Sequence, residues 1–177
     1  MTTPTPSPVH AKRIGPTLVP NRSRVLMRPF RPTTNAIARR IVTQVMALSD
    51  AEVARLLDSV MAEFGDRHPA VEKFFQKRFT QVRYLITGRR KVSLKRQLLV
   101  GAYFTHEYSP ESAALFNPSI VPHPDQTGLS KGALRFIMSL RATGEGHISS
   151  ISFRSGILYA DHRIEILPAS AFATAPR

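Results

Sequence analysis

The spacing of apolar residues changes near Leu115, and this change constrains the fold more than any other feature of the sequence. Before Leu115, apolar residues recur at intervals of three and four positions, which is typical of one face of an α-helix. After it, alternating and β-branched runs are separated by glycine and proline, as in β-strands. The sequence therefore predicts an α+β fold, with an N-terminal helical region followed by an antiparallel β-meander.

The helical region is predicted to contain four helices. Their predicted ranges are 36–48, 50–64, 69–86 and 93–106. Ser49 and Glu52 form a Ser-x-x-Glu capping box at the start of the second helix, where a hydroxyl and a carboxylate satisfy free backbone amides. A further helical turn is expected at 109–111, because a serine there is followed by proline.

The N-terminal flank divides into a tail and a short extended segment. Residues 1–20 contain five prolines and few large apolar groups, so residues 1–21 are predicted to be a disordered tail. Residues 22–32 include a short apolar run that ends at Pro29 and is expected to pack as an edge. The expected division is thus a tail at 1–21, a helical region at 22–114 and a β region at 115–177.

The β region is predicted to form about four strands in one sheet. The candidate strands are 119–121, 134–140, 148–153, 157–159 and 163–167. A small twisted sheet with an exposed apolar face is not stable alone, so it must pack on the helices or on further sheets. For the isolated chain, this predicts self-association.

Several classes of function are excluded by composition and by missing motifs. The chain has no cysteine, which rules out cysteine-ligated metals, cysteine nucleophiles and disulfides. It also lacks the glycine-rich nucleotide-binding motifs and the Gly-x-Ser-x-Gly of hydrolases. We therefore predict no metal and no cofactor. No apolar run approaches the roughly 18 residues of a membrane helix, so we expect a cytoplasmic protein without a membrane partner.

The charge of the chain is strongly positive, with 25 Lys and Arg against 12 Asp and Glu, a formal net charge of +13. Two stretches without acidic residues carry it, one before Asp50 and one between Glu72 and Glu107. Scattered basic residues most often coat solvated helix faces, which is the first interpretation. Binding of phosphate or of a polynucleotide is the alternative that the charge leaves open.

Two stretches of the β region carry polar residues at positions suited to ligand binding. Arg141–His147 places Arg, Glu and His on a tight connection between strands, where side chains can converge on a ligand. Phe116–Ser119 brings an asparagine into the sheet between apolar neighbours. An ordinary hairpin loop is the alternative interpretation for the first stretch, and the same alternative applies to the second.

The same two stretches resemble a known family. The run GAYFTHEYSPESAALFNPSIVPHPDQTGL, followed by LRFIMSLRATGEGHISSISFRSG, resembles glycoside hydrolase family 130, the β-mannoside phosphorylases and β-mannosidases. The resemblance covers about residues 22–167 and is densest over 101–156. It implies a five-bladed β-propeller whose funnel binds a mannoside, of which this chain would supply the helical extension and the first blade.

The resemblance also implies a set of substrate-binding residues. Asn117 would bind a sugar hydroxyl, with Ser119 beside it, and Arg141 would reach the same sugar. His147 occupies a place where many members have arginine. The implied partner is a mannoside, together with inorganic phosphate in a phosphorylase. Asparagine and arginine suit sugars because they form several directional hydrogen bonds.

The family's general acid is an aspartate in a Glu-Asp-(Ala/Pro)-Arg motif that this chain does not contain. The acids considered in the β region are Asp125, Glu145 and Asp161, of which only Glu145 lies in the resembling loop, and none is assigned a catalytic role. The expectation is a truncated member that is inactive alone. The competing hypothesis is a small basic binding module for nucleic acid or another polyanion, which the lack of an RNA-binding aromatic motif disfavours.

Overall fold

A computed structural model of the chain describes residues 15–88, 91–170 and 173. Most of the predicted disordered tail, 1–21, lies outside these residues. The chain forms two compact units. The helical unit is built from Pro20–Leu115 and Ala142–Ser150, and the sheet unit from Phe116–Arg141 and Ile151–Ala169.

The helical unit contains the four α-helices of the described residues, which confirms the helical half of the predicted α+β fold. They are α1 Asn35–Ala47, α2 Asp50–Phe64, α3 Val71–Val82 and α4 Leu94–Tyr103. The predicted capping box is confirmed at the start of α2, where Ser49 and Glu52 bond each other's backbone amides. Thr34 caps α1 by accepting a hydrogen bond from the amide of Ile37.

The core of the helical unit lies between these helices, and the contact between α3 and α4 is the most extensive that the described helices make. Val53, Leu99 and Phe104 are almost fully buried at its centre. A Cβ atom on Gly101 would lie 2.0 Å from the carbonyl oxygen of Phe75. Glycine at position 101 is therefore what allows the two helix backbones to touch.

The third predicted helix, 69–86, is too long at both ends. Ala70 adopts a left-handed conformation with φ 59°, so α3 begins only at Val71. At the other end the backbone tightens into a 3₁₀ turn at Arg83–Leu85. Both changes are local, because residues at helix ends have no full set of intrahelical bonds to hold them.

The fourth predicted helix, 93–106, is wrong beyond Tyr103, because the chain turns there into a strand. This strand, β2 Thr105–Tyr108, pairs antiparallel with β1 Leu26–Pro29, so the backbone amides find partners across a two-stranded sheet. The hydroxyl of Thr105 also donates to the carbonyl of Gly101 at 2.8 Å, ending the helix. The helical turn predicted at 109–111 is likewise wrong, since these residues form a non-helical turn.

The four-stranded sheet is antiparallel, and its strands follow one another in chain order. They are β3 Ala114–Pro122, β4 Leu134–Thr143, β5 Ser149–Leu158 and β6 Ile164–Ile166. The predicted strands 148–153 and 157–159 are in fact one strand. Gly156 lies within this strand and does not end it. A Cβ atom at position 156 would lie 2.3 Å from the tip of the Phe136 ring, so glycine there makes room for the ring.

Burial alternates along β4 of the sheet unit. Phe136, Met138 and Leu140 are buried at every second position of β4. On β5, by contrast, Ile151 and Phe153 are 69 % and 62 % exposed. The sheet unit therefore presents large apolar side chains to solvent. Among the helices that the structure describes, none has the length and apolar character needed to cross a bilayer.

Candidate functional site

Asn117 has an unusual backbone conformation in the middle of β3. Its φ is 53°, in the left-handed region, although the residue before a proline normally adopts an extended conformation. Asparagine tolerates this region better than most residues do. Asn117 and Ser119 are both exposed, so their polar side chains are accessible to a ligand.

Arg141 lies near the end of β4, the neighbouring strand, and its side chain reaches towards the same segment. Its guanidinium carbon is 5.6 Å from the centre of the Phe116 ring, a cation–π geometry. Further along the two strands, the Ser139 hydroxyl and the Ser119 carbonyl oxygen are 3.5 Å apart. The sheet unit thus brings Asn117, Ser119 and Arg141 onto adjacent strands.

Phe116 contributes to this group, and the sequence did not assign it a role. The ring is 39 % exposed and supports the Arg141 guanidinium beside Asn117. The sequence signal that could have indicated this role is the position of Phe116 directly before Asn117, the candidate sugar ligand. Its contact with a residue on another strand becomes visible only when the register of β3 and β4 is known.

His147 belongs to the helical unit, in a 3₁₀ turn at Glu145–His147 between β4 and β5. It is exposed and has φ 59°. The turn is held by backbone bonds, with the amide of Gly144 donating to Ile148 at 2.9 Å and that of Glu145 donating to Ser109 at 3.2 Å. The candidate ligands are therefore divided between the units, with His147 in the helical unit and Asn117, Ser119 and Arg141 in the sheet unit.

Gly144 permits the close approach of this turn to Tyr108. A Cβ atom at position 144 would lie 2.3 Å from the Tyr108 hydroxyl and 2.6 Å from the carbonyl oxygen of Ser109. The Tyr108 hydroxyl lies 3.5 Å from the carbonyl oxygen of Ile148, a marginal hydrogen-bond distance. The segment after α4 thus fixes the backbone that carries Glu145 and His147.

The acidic residues of the β region have contacts typical of loop structure. Asp125 accepts hydrogen bonds from the amide and the hydroxyl of Thr127, which lower its pKa below the ordinary value, and Arg135 lowers this pKa further. Asp161 accepts from the amide of Arg163 at 3.1 Å. Glu165, which the sequence analysis passed over, accepts from the Tyr159 hydroxyl at 2.7 Å. None of these contacts marks a general acid.

A second polar cluster lies in the helical unit around Glu107. Its Oε1 atom is 2.7 Å from His68 Nε2 and 3.3 Å from Arg67 Nη2, and His68 is buried. The cluster ties the 3₁₀ turn at Gly65–Arg67 to β2, next to an apolar cavity of about 370 Å³. We assign it a structural role.

The residues that the structure describes contain no group of three His, Asp or Glu side chains that could hold a metal ion. Comparisons with protein-family models, with curated proteins and with solved structures find no match for this chain. The function must therefore be argued from the site itself. Asn117, Ser119 and Arg141 together offer amide, hydroxyl and guanidinium groups, which is a set suited to a ligand with many hydroxyls.

Proposed function

We propose that this chain carries the helical extension and first propeller blade of an inverting enzyme that acts on β-mannosides, as a glycosidase or a phosphorylase. The observation that carries the proposal is the arrangement of Asn117 and Arg141 on neighbouring strands, with Phe116 supporting the guanidinium at 5.6 Å. The family resemblance attributes sugar binding to these same two residues. Each can form several directional hydrogen bonds to hydroxyl groups.

The topology of the β region is compatible with a propeller blade. A blade is a four-stranded antiparallel sheet whose strands follow in chain order, as β3 to β6 do. In a propeller, each blade packs against the next through its apolar face. The exposed Ile151 and Phe153 on β5 supply such a face.

The chain by itself is expected to bind a mannoside weakly and not to cleave it. Inverting cleavage needs an acid at the leaving oxygen and a water or phosphate on the opposite face of the sugar. Asp125, Asp161 and Glu165 are engaged in loop contacts, and nothing marks Glu145 as an acid. General-acid assistance contributes typically about 10²- to 10⁴-fold, so its absence removes measurable turnover.

A basic binding module for nucleic acid or another polyanion is the second candidate. The observation in its favour is a set of exposed basic side chains on the described parts of the helices that make no ion pair there. They are Arg39, Arg40, Lys73, Lys77 and Lys95. Binding of a polyanion would weaken steeply with salt, whereas binding of a neutral mannoside would not.

The proposal is tested by saturation-transfer NMR on the purified chain with a β-linked mannobiose. Cellobiose, a β-linked disaccharide of glucose, serves as the control ligand for mannobiose. We expect a transfer signal for mannobiose that is lost in Asn117→Gly, a substitution that keeps the left-handed backbone and removes only the amide side chain. Gln44→Ala, which removes an exposed amide on α1 of the helical unit, is the control and should keep the signal.

Equal signals from both disaccharides, or a mannobiose signal that survives Asn117→Gly, would contradict the proposed site. A mannobiose signal that RNA abolishes only at low salt would favour the polyanion module instead.

A further inference from the structure

Arg78 is a buried arginine without a carboxylate partner in the described part of the chain. It lies on α3 and is 7 % exposed. Its guanidinium donates to the carbonyl oxygen of Phe104 at 3.0 Å, to that of Phe30 at 3.3 Å and to the side chain of Gln81. All three acceptors are neutral. Each guanidinium nitrogen of Arg78 therefore has a hydrogen-bond partner, but none of these three partners balances its positive charge.

A second arginine, Arg31, lies at the same place. Both side chains line a cavity of about 390 Å³ in the helical unit. Arg31 is exposed, and the described residues offer it no hydrogen bond or ion pair. Burial, and then the positive charge of Arg31, lower the pKa of Arg78 below its ordinary value. The two guanidinium groups thus repel each other, and the described residues that line the cavity supply no opposite charge.

The other groups around this cavity are polar and neutral. They include the side chains of Asn35, Gln81 and Tyr84, and none of the described lining residues is acidic. Asn35 is also the first residue of α1, a helix without acidic residues in its first turn. The backbone amides at that helix end carry partial positive charge and add to the attraction for an anion.

We propose that this cavity binds a small molecule that carries a phosphate group. Two arginines match a phosphate monoester, which has a charge of about −1.5 to −2 at neutral pH, better than they match a single carboxylate. The cavity falls within the range of roughly 300–1,000 Å³ that is typical of small-molecule sites. It has room for an organic body, whose hydroxyls Asn35, Gln81 and Tyr84 can bond. The inference goes beyond the proposed function, because it concerns the helical unit alone.

Isothermal titration calorimetry on the purified chain tests the site. The probes are glucose 6-phosphate, inorganic phosphate, glucose and the dicarboxylate malonate. We expect glucose 6-phosphate to bind more tightly than phosphate or malonate, and glucose not to bind. Arg31→Gln should weaken glucose 6-phosphate binding about tenfold or more, because it removes one charge-assisted contact. Its melting temperature without ligand should not fall, since Arg31 has no partner to lose and its removal relieves the repulsion of Arg78.

Arg40→Gln is the matched control, because Arg40 is an exposed arginine of α1 that does not line the cavity. An equal loss of affinity in Arg40→Gln would show that diffuse positive charge attracts the anion, and would overturn the site. Binding of malonate as tight as that of glucose 6-phosphate would overturn the phosphate assignment. Tighter binding of inorganic phosphate than of glucose 6-phosphate would overturn the claim that the ligand has an organic part that the cavity binds. Failure of glucose 6-phosphate to bind at millimolar concentration would overturn the proposal as a whole.

Discussion

The guanidinium of Arg141 lies 5.6 Å from the centre of the Phe116 ring. Phe116 directly precedes Asn117 in the chain. This contact links the two residues that the family resemblance assigns to sugar binding, because Phe116 holds Arg141 next to the strand that carries Asn117. Phe116 is therefore expected to matter for binding without touching the sugar.

Phe116→Leu tests this positioning role, since leucine keeps an apolar side chain but has no aromatic face. An exposed cation–π contact contributes about 0.5–1 kcal/mol, so we expect mannobiose affinity to fall about two- to fivefold. The measurement is an NMR titration of the folded variant. Phe153→Leu, at another exposed aromatic of the sheet unit, should leave affinity unchanged. Equal affinities in the Phe116 variant and the wild type would remove the positioning role.

Gly101→Ala should destabilise the helical unit, because the new methyl group would lie 2.0 Å from the Phe75 carbonyl oxygen and would push α3 and α4 apart. Overpacking of this kind costs about 1–3 kcal/mol in the free energy of unfolding, as measured by urea denaturation. Gly65→Ala is the matched control. A Cβ there meets nothing within 4 Å, and its φ of −59° suits alanine, so stability should hold or rise.

Arg24 and Glu111 form a buried ion pair, with Nη1 and Oε1 2.6 Å apart and the Glu111 side chain fully buried. Removing one partner takes a close opposite charge away from the other, which stays in the interior. Arg24→Met or Glu111→Gln should therefore each cost about 3–5 kcal/mol. The double variant should cost clearly less than the sum of the two, in a denaturation cycle. Additive costs would show that the two charges do not stabilise each other.

The carboxyl group of Asp125 should titrate below its ordinary pKa, because Thr127 donates two hydrogen bonds to the ionised form and Arg135 lies 3.0 Å away. A lowered pKa in the folded chain means that the loop is stabilised above the unfolded pKa. This stabilisation is lost as the pH falls through the folded pKa. Thr127→Val should raise the pKa towards its ordinary value, as followed by carbon-13 NMR of the carboxyl group. Thr33→Val should not change it.

The exposed face of β5 predicts that the isolated chain associates with itself. Sedimentation velocity should show an average mass that rises with protein concentration, because Ile151 and Phe153 are largely exposed. Phe153→Thr should reduce this association. Val19→Thr, at an exposed apolar residue outside the strands, should not. A monomer at every concentration would argue against a face built to meet another blade.

The parts of the fold that depend on local patterns could be predicted from the sequence. The apolar period and the Ser49–Glu52 capping box located α1 and α2 to within one residue at each end. The order of the strands also followed from the alternating pattern. In each case the information lies within a few neighbouring residues.

The parts that depend on distant partners could not be predicted. The segment after Tyr103 continues a helical pattern, but it pairs as β2 with Leu26–Pro29, at the other end of the helical region. The sequence predicts a strand break near Gly156, but β5 continues through this residue, and the ring of Phe136 packs against it. The cavity between Arg31 and Arg78 likewise joins residues from separate elements. Such pairings are decided by tertiary packing, which overrides local propensity.

The central claim is that the group around Asn117 and Arg141 binds a mannoside, and chemical-shift mapping tests it most directly. Amide spectra of the nitrogen-15-labelled chain would be recorded during titration with β-linked mannobiose, at low and at high sodium chloride concentration. The account predicts shifts concentrated at 116–119 and around Arg141, with the same affinity at both salt concentrations. Absence of shifts at these residues, together with salt-sensitive shifts on the helices when RNA is added, would contradict it.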